Sequence, residues 1–299
     1  MKKSYHIKNH NLIMRTWQMQ HAKPGTWLFI FLAIMLTLPK PALADLMLYP
    51  TRVVLEPKQR SAQLQIMNRG NKPETYRINI VNRRMTENGE IVPADTPQAG
   101  EHFASDMLRY SPRQVTLKPG VAQIIRIIVR KPANLADGEY RSHLQFDRVP
   151  DTNSKSDLEA INKPEPGQLS ISIEALIGAS IPVIVRHGET IASASLDNLA
   201  LEPTKENTQP TLTFGINRSG NRSVYGDLVA SYTPVGGEPI EIAKVGGVAV
   251  YVPNAKRIAR LPLKLPEGVS LKGGKIQLNY LERPELGSKV IAQAELALK

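Results

Sequence analysis

The chain has 299 residues, of which 41% are apolar, and a formal charge of +11; that length allows about two domains at the usual ~100–200 residues each. It contains no cysteine, which excludes disulfides and thiolate metal sites. The basic excess is concentrated before residue 45, where Lys2, Lys3, Lys8, Arg15, Lys23 and Lys40 stand without an acidic residue; the remainder carries 32 basic against 27 acidic side chains, with no basic run interleaved with aromatics to support nucleic-acid binding.

Residues 1–44 read as an export signal rather than as part of the fold. A basic region precedes the uncharged apolar run Thr26–Leu38, and Pro39-Lys40-Pro41-Ala42-Leu43-Ala44 closes it with the small-x-small pattern that signal peptidase reads, placing cleavage after Ala44. The run is short for a membrane span of ~20 residues, so no stable membrane insertion is expected after cleavage. Export also places the chain in an oxidising compartment.

From Asp45 onward the pattern is that of strands. Leu48–Leu55 and Ser61–Asn68 alternate apolar with polar residues and are separated by turn formers. A turn at Arg69-Gly70-Asn71-Lys72-Pro73 leads to Thr75–Asn82, and another at Glu87-Asn88-Gly89-Glu90 follows. Leu108–Pro112, Gln114–Leu117, Ala122–Arg130 and Tyr140–Phe146 complete the first set. Between Asp147 and Gln168 lies a polar connection with Pro150, Pro164 and Pro166.

The most informative stretch comes next. Leu169, Ile171, Ile173, Ala175 and Ile177 fall on alternate positions, and a strand points alternate side chains to opposite faces. These five residues share one apolar face. A long strand of this kind either pairs within its own sheet or is open to a partner. A turn at His187-Gly188-Glu189 then opens a second set of strands: Thr211–Asn217, Val224–Tyr232, Glu241–Val245, Val248–Val252, Ala255–Leu261, Lys275–Tyr280 and Val290–Leu296. The fold expected is all-β, two immunoglobulin-like β-sandwich domains in tandem, residues 45–186 and 187–299.

Catalytic and metal-binding patterns are missing from the sequence. Beyond the leader the histidines are His102, His143 and His187, on separate segments, and there is no Gly-x-Ser-x-Gly elbow, phosphate-cradling glycine loop or His-Glu-x-x-His. No enzyme, cofactor or metal is expected. Two readings remain: a binding module that presents the alternating stretch, or a structural or adhesive sandwich protein of an extracellular assembly.

Several segments together carry a resemblance. Tyr49-Pro50-Thr51-Arg52, the run from Tyr110-Ser111-Pro112 through Lys118-Pro119-Gly120 to Arg126-Ile127, the segment Gly138–Pro150 and the alternating strand ending in Arg186 resemble the periplasmic pilus-assembly chaperones of the chaperone/usher pathway. The resemblance is good over residues 45–186 and rests on strand pattern beyond them. It implies a periplasmic protein that donates residues 168–186 as a strand to immature pilus or fimbrial subunits and hands them to an outer-membrane usher. Leu169, Ile171, Ile173, Ala175 and Ile177 would be the plugs, each buried large side chain contributing about 1.5–3 kcal/mol, with the backbone pairing as in β-strand addition.

The resemblance further implies that Arg52 anchors the subunit's terminal carboxylate through charge-assisted hydrogen bonds. It implies that Glu139 and Arg186 form an interdomain ion pair. The second basic anchor of the family falls on Pro182, which has neither charge nor backbone donor.

Overall fold

The computed structural model describes residues 46–150, 178–203 and 209–299, which belong to one compact unit, Ala44–Lys299. The apolar ladder Leu169, Ile171, Ile173, Ala175 and Ile177 and the leader, residues 1–44, lie outside the described residues.

The first group of strands is β1 (Leu46–Tyr49), β2 (Val53–Leu55), β3 (Ser61–Asn68), β4 (Glu74–Val81), β5 (Arg83–Met85), β6 (Ile91–Pro93), β7 (Leu108–Ser111), β8 (Gln114–Leu117), β9 (Ala122–Val129), β10 (Gly138–Val149) and β11 (Ala179–His187). One sheet has the order β1-β3-β9-β7 and the facing sheet the order β2-β11-β10-β4-β8. Alternation assigns the faces: in β3, Leu64 and Ile66 are buried while Ser61, Gln63 and Gln65 are exposed. Leu64, Ile66, Ile78, Ile125, Ile127, Leu144, Phe146, Val183 and Val185 meet in the core between the sheets.

The second group is β12 (Ala192–Leu201), β13 (Thr211–Gly220), β14 (Val224–Thr233), β15 (Ile240–Val250), β16 (Lys256–Pro262), β17 (Lys275–Leu281) and β18 (Val290–Ala297). Its sheets, β12-β13-β16 and β15-β14-β17-β18, enclose a second core that includes Phe214, Ile216, Leu228, Tyr232, Ile276, Leu278 and Tyr280. The chain is thus all-β, with two sandwiches in tandem.

Three departures from the sequence reading have physical causes. Leu48–Leu55 is not one strand. Pro50 cannot donate to a ladder, and the chain bends over residues 50–52, so β1 pairs antiparallel with β3 while β2 pairs parallel with β11 in the other sheet. Glu241–Val245 and the first three residues of Val248–Val252 are instead parts of one strand, β15, which ends at Val250 and in which the glycine pair shifts the register rather than ending the strand: pairing with β14 slips between Gly226 and Leu228, and Gly247 takes a φ of +73°. β12 is an additional strand. Its half-buried face is largely alanine and leucine, Ala192, Ala194, Leu196 and Leu201, and small residues give a weak period-2 signal.

The β5–β6 hairpin leaves the first sandwich and lies on the second. The Ile258 N–H donates to Glu87 O at 2.7 Å, and Asn254 Nδ2 donates to Met85 O at 3.0 Å. Gly89 at its tip has a φ of +83°, and a Cβ there would collide with the Arg257 guanidinium. Met85 is 4% exposed and clusters with Ile184 of β11 and with Ala249 and Tyr251 of the second sandwich.

Candidate functional site

β10 alternates polar and apolar residues, yet it is buried on both faces over its first seven residues. Tyr140, Leu144 and Phe146 enter the first core. The odd-numbered residues Glu139, Arg141 and His143 point the other way and sit opposite Arg186, Ile184 and Pro182 of β11, and Ser223 and Tyr251 of the second sandwich meet Glu139 and Arg141 there. The polar half of this strand is therefore an interface between the sandwiches rather than a solvent face.

Glu139, 3% exposed, is the hub of that interface. Arg186 Nε donates to its Oε2 at 3.3 Å, and Arg186 Nη1 reaches Glu56 Oε1 at 2.6 Å. Both Glu139 and Arg186 belong to the first sandwich, as directly paired residues of β10 and β11. The link to the second sandwich is Ser223, whose hydroxyl donates a short hydrogen bond to Glu139 Oε1 while accepting from the Val252 N–H at 3.3 Å.

Arg52 stands on the bend where the chain passes from one sheet to the other. Its guanidinium carbon lies 4.3 Å from the centre of the Tyr225 ring and 5.4 Å from that of Tyr251, and its Nη1 donates to the Tyr251 hydroxyl at 3.3 Å. Arg141, 7% exposed, packs on Tyr251 at 3.9 Å. Arg283 lies 5.9 Å from the Tyr225 ring and is held by Asp227 at 2.7 Å. The result is an alternating series of cations and rings, Arg141, Tyr251, Arg52, Tyr225 and Arg283, in which each ring sits where the electron-rich face of an aromatic attracts a cation.

Beside Arg52 a cleft of about 600 Å³ opens between the sandwiches. It has apolar walls, Val54, Val224 and Ile291 among them, and four cations, Arg52, Arg186, Arg222 and Lys289, against two carboxylates, Glu56 and Glu282. Glu56 is already engaged by Arg186. Among the described residues the side chains of Arg222 and Lys289 have no ion-pair partner. The arrangement suits a ligand with a negatively charged end and an apolar body.

Burial and its partners set the protonation states. Burial pushes the His143 imidazole down to about 3, with the neighbouring charges of Arg141 and Arg83 acting in the same direction. Burial also lowers the Arg141 pKa, which Tyr251 and Glu139 partly offset. Among the described residues no group of three His, Asp or Glu is placed to hold a metal.

The sequence reading found Arg52, Glu139 and Arg186, and the structure brings all three to one face of the β2-β11-β10 sheet. It did not find Tyr225, Tyr251, Ser223 or Arg222. These lie in the second sandwich, 170 or more residues beyond Arg52, and no local pattern connects them to it. Pro182 is half-buried opposite His143, on the same face of the sheet.

Residues 45–186 match the family model described as pili and flagellar-assembly chaperone, PapD N-terminal domain. Among solved structures the chain is similar to the CupB2 chaperone of Pseudomonas aeruginosa, with 13% identity, 85% of this chain and 100% of that chain covered, and a TM-score of 0.42. It is also similar to the Salmonella enterica SafB chaperone, solved in complex with the SafA pilin, with 17% identity, 87% and 99% coverage, and a TM-score of 0.40. A third similar structure is the CsuC-CsuE chaperone-tip adhesion subunit complex of Acinetobacter baumannii, with 12% identity, 85% and 98% coverage, and a TM-score of 0.37. The comparison with curated proteins returned no match.

Proposed function

Through residues 45–186 the chain belongs to the pili and flagellar-assembly chaperones, and on that premise we propose that it is a periplasmic chaperone that holds immature pilus or fimbrial subunits by strand donation and passes them to an outer-membrane usher. Leader cleavage after Ala44 delivers it to the periplasm. Leu169, Ile171, Ile173, Ala175 and Ile177 are the donated plugs, and Arg52 anchors the subunit's terminal carboxylate. Glu139 and Arg186 stiffen the sheet face on which that anchor rests.

The observation that carries this reading is the family match over residues 45–186. Two features of the chain agree with it. In the sequence the ladder has the odd-numbered parity of Ile181, Val183 and Val185, which fill the first core from β11. The cleft beside Arg52 offers cationic donors next to apolar walls, the combination a chain terminus requires. Arg222, across that cleft, supplies a second positive charge where Pro182 cannot.

Co-expression with a pilin-like protein encoded beside this gene is expected to give a soluble one-to-one complex in periplasmic extract. Arg52→Ala is expected to abolish subunit recovery while the variant keeps the wild-type circular dichroism and melting curve. Undiminished recovery by a folded Arg52→Ala protein would remove the anchor. Accumulation of the chain in sheared surface fractions, with no subunit complex, would favour a structural or adhesive role instead.

A further inference from the structure

We propose that Tyr225 and Tyr251 are positioning residues for Arg52, so that the anion-binding group of the cleft is assembled by both sandwiches and exists in working form only while they are docked. The inference rests on the reading of Arg52 as a carboxylate anchor.

Arg52 comes from a bend in the first sandwich, with no strand partner of its own. A long side chain there samples many rotamers, and a ligand that fixes it must work against that freedom. The rings remove the freedom beforehand. Tyr225 lies at 4.3 Å from the guanidinium carbon, and the Tyr251 hydroxyl takes one N–H, from Nη1, at 3.3 Å. Among the described residues Nε and Nη2 have no hydrogen-bond partner, so the fork is held by its face and one corner while an edge stays free for a carboxylate. A cation packed on a ring keeps its charge, unlike one neutralised by a carboxylate. The first sandwich could have restrained this arginine with an acidic residue, and Glu56 is close enough to line the same cleft, but Glu56 is tied to Arg186.

Both rings belong to the second sandwich. Tyr251 is 8% exposed and packs with Ala249, Met85 and Ile184. Tyr225 also packs against that cluster, and the Arg283 guanidinium lies 5.9 Å from its ring. Because the clamp exists only across the interface, carboxylate binding and docking of the sandwiches are linked, and each favours the other by the same factor.

The test is an NMR titration of the whole protein with a soluble synthetic peptide, Ser-Val-Thr-Val-Thr-Val, as the free acid and as its C-terminal amide. Wild type is expected to bind the acid at least about tenfold more tightly than the amide. Tyr225→Leu is expected to bring that ratio close to one, whereas Tyr225→Phe, which keeps the ring, retains it. Tyr251→Phe, which keeps the packing and loses the acceptor, is expected to lower the ratio severalfold. A purely structural role for the tyrosines would weaken acid and amide alike and leave the ratio intact, and that outcome overturns the proposal. If Tyr225→Leu does not fold, Tyr251→Phe decides: an unchanged ratio overturns the clamp. A wild-type protein that does not distinguish acid from amide overturns the anchor itself, a result separate from failure of the clamp.

Discussion

At the scale of single residues, the buried polar face of β10 makes stability depend on pH. His143 is 3% exposed and held neutral down to about 3 by burial and by the facing charges of Arg141 and Arg83. The unfolded chain takes up a proton on this imidazole near its ordinary 6.5 and the folded chain does not. Stability from this group is therefore full above about pH 6.5 and falls as the pH drops toward 3, by at most about 1.4 kcal/mol per pH unit. A His143→Gln variant should show a shallower loss of melting temperature between pH 6.5 and 4 than wild type; equal slopes would locate the acid sensitivity elsewhere. Arg52 and Glu139 were visible in the sequence because they stand in segments that resemble a family. The rings and the hydroxyl that engage them were not, because cation–ring and hydroxyl–carboxylate contacts across about 200 and 84 residues leave no periodic trace.

At the scale of elements, strand boundaries followed the sequence pattern where one face met a core and the other met water. β3 coincides with the expected Ser61–Asn68, and β9 ends one residue short of the expected Ala122–Arg130. The pattern misled where those conditions changed. β10 reads as half-solvated although its polar face meets a second domain, and β12 offers mainly alanines and isolated leucines. The β5–β6 hairpin was legible as a turn at Asn88-Gly89, but its seat on the second sandwich was not. Gly89→Ala tests that seat. At a φ of +83° the left-handed backbone alone costs about 1–2 kcal/mol, and the new methyl must also displace the Arg257 guanidinium. The expected result is a loss of at least this size in denaturant unfolding, with Arg257→Ala in the same chain recovering the steric part. Full wild-type stability in Gly89→Ala would mean that the tip moves freely off β16.

At the scale of the whole molecule, the two sandwiches share a small apolar cluster, one buried carboxylate with a serine donor, and a series of cations and rings. Interfaces between domains of one chain are often loose enough to permit relative motion. Here the hairpin adds a backbone hydrogen bond from β16 to Glu87 and a bond from the Asn254 side chain, in the turn before β16, to the Met85 carbonyl. That bridge also has a kinetic meaning. The two sheets of the first sandwich close within residues 46–187, whereas Met85 meets Asn254 across 169 residues of sequence. Contacts so distant along the chain form after local ones, because closing the longer loop costs more entropy. The hairpin is therefore expected to settle last, once the second sandwich exists to receive it. Met85→Ala should remove about 2–5 kcal/mol and express that loss as faster unfolding, with the refolding limb of the chevron unchanged. Slower refolding would instead place the hairpin in the nucleus. On this order of events, an emerging chain completes its first sandwich while Arg52 still lacks its rings, and the cleft matures only as the final strands arrive.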